Sequence, residues 1–299
     1  MQPCFFGLLS ENCYAEAMAK RLAGRAGYAA PWKPWTAPNA KYNIRLRPEL
    51  LLQPLRWRKP QRIFVNSMSD LFHEQVPDEF IADVYATMAQ ARQHTFLVLT
   101  KRLKRALDWY RWFVAQSPTV AGDVYETLFG RTMPWPLPNV WLGVSVEDQR
   151  TADERLPILM QVPAAVRFIS AEPLLGPLDG CPWTTTWIRC QHGNFAPEPD
   201  SPCQPCGCWP DRAAIDLVII GGESGPHFRE MDMAWARDLI AQCQAAGVSC
   251  FVKQDSGLRP GMQGQFGDAE WALKQLPEAR HDFPQAAPSR GPGLPAGGH

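Results

Sequence analysis

Two groups of side chains in this 299-residue chain have types and spacings able to do chemistry. The first is built on cysteine. Cys190, His192, Cys203, Cys206 and Cys208 lie in a proline- and glycine-rich stretch. Cys-x-His, a gap of ten residues and Cys-x-x-Cys supply four soft or imidazole ligands at a spacing that suits structural zinc, with His192 or Cys208 completing the set. Few apolar residues there could support a core, so residues 180–212 are expected to form an insertion folded around zinc; a loop with incidental cysteines is the other reading. Near the start, Cys4 and Cys13 precede a helix with Asn12 as its N-cap and Tyr14, Met18 and Leu22 as its apolar stripe. A thiolate at a helix N-terminus is stabilised by the helix dipole, which places Cys13 for ligation or reactivity; a small buried side chain serves equally well. Cys181, Cys243 and Cys250 read as core or loop residues. Nine cysteines, an odd number, point to metal or redox chemistry in the cytoplasm rather than to a disulfide framework.

The second group follows six short apolar runs: 63–65, 95–99, 140–144, 166–169, 217–220 and 250–252. These runs end respectively in Asn66-Ser67-Met68-Ser69-Asp70, Thr100-Lys101-Arg102, Ser145-Val146-Glu147-Asp148, Ser170-Ala171-Glu172, Gly221-Gly222-Glu223 and Lys253-Gln254-Asp255. One polar strand end is ordinary. Six in succession, carrying Glu147, Glu172, Glu223, Lys101 and Lys253, form a candidate rim for a bound ligand. Gly221-Gly222 would let a carboxylate or phosphate approach backbone N–H groups, or would simply make a tight strand-to-loop turn.

Positioning those ends on one rim requires parallel strands. Most of the runs are continuously apolar and rich in β-branched residues, as in strands buried on both faces. Helical stripes separate them: Phe80, Ile81, Val84, Tyr85 and Met88; Leu103, Leu107, Tyr110 and Val114; and Trp235, Leu239, Cys243 and Ala246, closed by Gly247. A weaker helix over 151–161 contains Pro157. The alternation implies right-handed βαβ units and a partial, TIM-like parallel (β/α)6 barrel with its site at the C-terminal strand ends. A doubly wound open sheet would put its site at the same ends.

Composition narrows the class. Apolar residues make up 45% of the chain and charged residues 20%, with 30 basic and 30 acidic side chains, so no global field favours nucleic acid or an anionic membrane. The distribution is uneven: Lys41, Arg45, Arg47, Arg56, Arg58, Lys59 and Arg62 face a single acid, Glu49. That segment reads as a solvated connection or as a phosphate-contacting patch. No apolar run approaches the roughly 18–20 residues that span a bilayer, and no signal peptide is expected. Trp32, Trp35 and Trp57, among prolines, either cover the rim or pack around the barrel. One domain is expected over 1–276, followed by a disordered proline- and glycine-rich tail over 277–299.

Asn12-Cys13-Tyr14-Ala15-Glu16 with Met18-Ala19-Lys20-Arg21-Leu22, Phe64-Val65-Asn66-Ser67-Met68-Ser69-Asp70-Leu71-Phe72-His73, Leu99-Thr100-Lys101-Arg102, Trp141-Leu142-Gly143-Val144-Ser145-Val146-Glu147, Ser170-Ala171-Glu172-Pro173-Leu174-Leu175-Gly176-Pro177, Gly221-Gly222-Glu223-Ser224-Gly225 and Lys253-Gln254 resemble a phage and prophage family. It is the three-cysteine-motif family named after phage gene products thirty-seven and sixty-eight, whose function is largely unknown. The resemblance implies a radical-SAM-like barrel, in which three cysteines after the first strand hold a [4Fe–4S] cluster whose open iron binds S-adenosylmethionine. Cys13-Tyr14 matches the last cysteine and its aromatic neighbour, and Cys4 is the candidate for the first. Ser10 stands where the middle cysteine is expected, and the strand that should precede the motif is absent.

Carried onto the rim, the resemblance makes Asn66, Ser67, Asp70, Lys101, Ser145, Glu147, Glu172, Gly221, Gly222, Glu223 and Lys253 candidates for holding S-adenosylmethionine and an unknown substrate. Gly221, Gly222 and Glu223 would take the ligand's amino-acid end, and Lys101 and Lys253 its anionic groups. The competing reading is a non-enzymatic protein with a structural zinc site that binds nucleic acid or a phage-encoded partner protein. A hydrolase using Asp70, Glu147 and Glu172 lacks the paired geometry it would need.

Overall fold

The computed structural model describes residues 14–25, 30–66, 69–115, 136–179, 187–189, 195–196, 211–213 and 215–278. Its main sheet contains six strands: β1 (Arg62–Val65), β2 (Thr95–Thr100), β3 (Val140–Ser145), β4 (Val166–Ala171), β5 (Leu217–Gly221) and β6 (Ser249–Gln254). Each strand pairs in parallel with the next in chain order. An unbroken order has no point where the winding reverses, so the doubly wound alternative is excluded. The result is an open, TIM-like half-barrel with all six C-terminal strand ends along one rim.

The described helices are α1 (Tyr14–Arg21), α2 (Asp78–Gln90), α3 (Leu103–Ala115), α4 (Gln149–Leu159) and α5 (Met233–Ala246), with three one-turn helices at Ala40–Asn43, Pro48–Leu51 and Asp268–Trp271. In α2 the stripe Ile81, Tyr85 and Met88 is buried. The chain enters α4 through a reciprocal cap: Asp148 accepts from Thr151 N at 2.8 Å, and Thr151 Oγ1 accepts from Asp148 N at 3.0 Å. This cap and the burial of Leu156 and Leu159 hold the helix together through Pro157. Pro157 is exposed, as is Asp153, whose carbonyl loses its intrahelical partner to the ring. Gly247 closes α5 at φ 68°, where a Cβ would be strained. Between β4 and β5, within the expected insertion, Trp187–Arg189 pairs antiparallel with Phe195–Ala196 and Asp211–Ala213. No helix among the described residues is long and apolar enough to cross a membrane.

Alternation along each strand divides the sheet into two faces. Val98, Leu142, Val144, Ile169, Val218, Ile220, Cys250 and Val252 join the large core with the helices. The opposite, concave face is floored by Leu97, Trp141, Val166, Phe168 and Leu217, with Leu99, Ile219 and Phe251 packed against them. Gly143 makes this floor close: a Cβ there would lie 2.3 Å from the Phe168 ring, so the ring occupies the space a side chain would take.

Candidate functional site

Following the same alternation beyond the apolar floor, Lys101, Ser145, Ser170, Glu172, Gly221 and Lys253 form a polar layer towards the C-terminal strand ends. Ser145 and Ser170 are register partners. The structure thus brings together candidates read from five separate stretches of sequence, and it distinguishes carboxylates that brace the rim from the one that faces its opening.

Asp70 is a brace. Its carboxylate accepts from Phe72 N (3.0 Å), Thr100 Oγ1 (2.8 Å), Lys101 N (3.1 Å) and Arg102 Nη1 (3.1 Å), tying the end of β1 to the end of β2. Asn66, just before it, has a positive φ of 61°, a conformation asparagine tolerates better than most side chains. Glu147 is buried, pairs with Lys101, and accepts from Arg155 Nη1 at 2.8 Å; Arg155 also donates to Ser145 O at 2.6 Å. Glu223 is held on both oxygens by the Arg229 guanidinium (2.9 and 2.7 Å) and by Arg229 N (2.8 Å). A carboxylate so enclosed fixes the backbone that carries it.

Glu172 and Lys253 differ. Lys253 Nζ lies 2.8 Å from both Glu172 oxygens, and its side chain is 49% exposed. The two residues belong to β6 and the end of β4, so their pair spans β5 above Gly221. A Cβ on Gly221 would lie 3.2 Å from Glu172 Cγ and Cδ, so glycine leaves the lane through which the pair meets. Gly222 serves the backbone instead. Its N–H donates to Gln254 O at 3.0 Å, and its carbonyl accepts from Gln254 Nε2 at 2.8 Å. These bonds lock the ends of β5 and β6 together. Asp255, beside them, accepts from Ser256 N (2.6 Å) and Gln265 N (2.8 Å).

His73 lies buried below Asp70. Its Nδ1 accepts from Gln75 N at 3.0 Å, and its Nε2 is 3.1 Å from Glu74. Burial, followed by the Arg102 charge, holds its pKa below the ordinary histidine value, against the opposing pull of Glu74 and Asp70. The folded chain therefore keeps His73 neutral where the unfolded chain takes up a proton. Its contribution to stability is complete above the unfolded pKa of about 6.5 and is lost as pH falls through the lower folded value. Melting temperature should fall as pH drops below about 6.5, and His73→Asn, which keeps an acceptor for Gln75 N–H, should flatten that decline. Parallel melting curves for the two proteins, one pH unit apart, check this.

Arg155 and Arg229 were missed as partners from sequence. Their signal is faint: Arg155 lies on α4 eight residues beyond Glu147, and Arg229 follows Glu223 by six across a loop. Ser67, Cys4, Cys13, Cys190, His192, Cys203, Cys206 and Cys208 lie outside the described residues. Among the described residues, no cluster of three or more histidine, cysteine or acidic side chains has a metal-binding arrangement.

No curated protein and no solved structure matches the chain. A protein-family profile does match, over residues 7–274, and so takes in every strand of the half-barrel and the whole rim. The chain belongs to the family described as a protein of unknown function, DUF5131.

Proposed function

We propose that this chain is a phage-family cytoplasmic protein of radical-SAM-like build, whose rim binds S-adenosylmethionine through the ligand's amino-acid end. The observation supporting this reading is the exposed Lys253–Glu172 pair above the side-chain-free lane at Gly221. A ligand carrying both an ammonium and a carboxylate can exchange with that pair: its carboxylate meets Lys253, its ammonium meets Glu172, and no buried charge is left alone. Lys101, Ser145 and Ser170 supply further polar contacts along the same face, and the floor of Leu99, Ile219 and Phe251 suits the ligand's apolar parts.

The donor set does not fit a [4Fe–4S] cluster. Such a cluster needs three protein thiolates to leave one iron open, and the middle position is filled by Ser10 beside Cys4 and Cys13. The same deficit favours a second reading, that the rim binds without catalysing, with zinc held in the insertion by Cys190, Cys203, Cys206 and either His192 or Cys208.

Calorimetric titration of anaerobically purified protein with S-adenosylmethionine, S-adenosylhomocysteine and methionine tests the first reading. Saturable binding of all three is expected, weakened about tenfold or more by Lys253→Ala, in line with the loss of one charge-assisted contact. Binding unaffected by Lys253→Ala, or no binding, overturns it. Metal analysis of the same preparation separates the cofactor readings: zinc near one per chain without iron supports the insertion site, and iron with sulfide rejects the inference from Ser10.

A further inference from the structure

A second surface runs along the segment that leads into β1, remote in sequence from the Lys253–Glu172 pair, and its cavity reaches Asn66 and Asp70 at the β1 end of the rim. Between Lys41 and Arg62 seven basic residues face one acid, and that acid, Glu49, pairs with Arg47. Lys41, Arg45, Arg56, Arg58, Lys59 and Arg62 are all exposed. The same stretch holds four of the seven large apolar side chains that stand exposed among the described residues, Tyr42, Leu46, Leu50 and Leu52, and a fifth, Phe64, follows it on β1. Charge and apolar surface converge on a cavity of about 380 Å³ beside the edge strand β1, lined in part by Arg45, Arg47, Leu46, Leu50, Trp57 and Phe64. The segment is anchored: buried His94 accepts from Gln61 N at 3.1 Å through Nδ1 and meets Pro54 O at 3.0 Å through Nε2, while Gln93 Nε2 donates to Trp57 O at 3.2 Å.

We propose that this strip binds single-stranded nucleic acid, with phosphates along Arg56, Arg58, Lys59 and neighbouring basic residues and one base entering the cavity against Phe64 and Trp57. Positive charge interleaved with exposed rings is the chemistry that follows a flexible polyanion while stacking its bases. A duplex fits poorly, because the strip's helical turns, Ala40–Asn43, Pro48–Leu51 and Pro54–Arg56, have three or four residues each and none can lie along a major groove. An anionic membrane surface fits poorly as well, because Phe64 and Trp57 line a recess instead of projecting from an amphipathic helix. With basic and acidic side chains in balance over the chain, the attraction is local to a patch such as this strip and does not come from a global field.

Fluorescence anisotropy of the full chain with labelled single strands of about 15 nucleotides, DNA and RNA, tests the proposal. Three or four phosphate contacts predict that log K falls against log salt with a slope of about −2 to −3. The combined variant Arg56→Glu, Arg58→Glu, Lys59→Glu should lose binding by about a hundredfold with its melting temperature unchanged. Phe64→Ala should lose about tenfold and keep the salt slope, because it removes stacking and no charge. Both substitutions lie at exposed positions, so folding is not expected to confound them. Equal affinity for polyglutamate, for a duplex or for vesicles of anionic lipid overturns the proposal, as does binding that the triple variant leaves intact. None of these outcomes depends on whether S-adenosylmethionine binds at the rim.

Discussion

Glu147→Ala should lower the unfolding free energy by about 3–5 kcal/mol, the range for removing one partner of a buried ion pair. Glu147 is 1% exposed and meets two cations, Lys101 just past the end of β2 and Arg155 from α4. Alanine leaves both without their carboxylate. Arg155 retains the Ser145 carbonyl, but its charge stays 13% exposed with no counter-ion from Glu147. Lys101, 30% exposed, can turn towards water, so most of the cost falls on the arginine. Urea unfolding measures the loss directly, and a two-residue replacement tests its cause. Glu147→Leu with Arg155→Met removes both buried charges at similar volume and should recover a large part of the deficit. A single-variant loss below about 1 kcal/mol would place Glu147 with solvent-exposed pairs, whose worth is of that order.

The strands and the rim were legible because parallel sheets leave a strong record: continuous apolar runs, each ended by polar residues at the one edge where the strands stop. Order along the sheet was legible as a choice of two: the alternation implied a partial TIM-like barrel and left a doubly wound sheet open, and register pairs such as Ile169↔Val218 and Ile220↔Val252 between consecutive strands decide for the barrel. The roles of the acidic strand ends were hidden. Asp70, Glu147, Glu172 and Glu223 look alike as carboxylates after a strand, yet three are enclosed by donors and one faces an exposed lysine. Arginines from a following helix or loop decide the difference, and no fixed spacing marks them. Gly143 was equally silent, because its meaning depends on Phe168 arriving from the next strand. The basic strip, in contrast, was visible as charge alone; its exposed rings and cavity needed the fold.

Two adjacent glycines should respond very differently to a methyl group, and that contrast tests how the rim is built. At Gly222 a Cβ would lie 2.2 Å from Ser256 N and 2.6 Å from its Cα. Those atoms are backbone, fixed by Met231 N donating to Ser256 Oγ at 3.0 Å and by the Gly257 N to Glu223 O bond at 3.0 Å. Gly222→Ala therefore has to separate the ends of β5 and β6, breaking both bonds between Gly222 and Gln254, and should cost about 3 kcal/mol or more, at the upper end of overpacking penalties. Gly221→Ala meets Glu172 Cγ and Cδ at 3.2 Å, the outer part of a side chain that can swing by a few tenths of an ångström. It should cost under about 1 kcal/mol in stability while moving Glu172 off Lys253, so its effect appears in S-adenosylmethionine affinity more than in unfolding. Chemical denaturation of the two variants side by side, with ligand titration of Gly221→Ala, measures both quantities. Equal destabilisation would mean that the β5–β6 junction yields as readily as the Glu172 side chain, and the rim would then lack the rigidity that an ordered ligand pair requires.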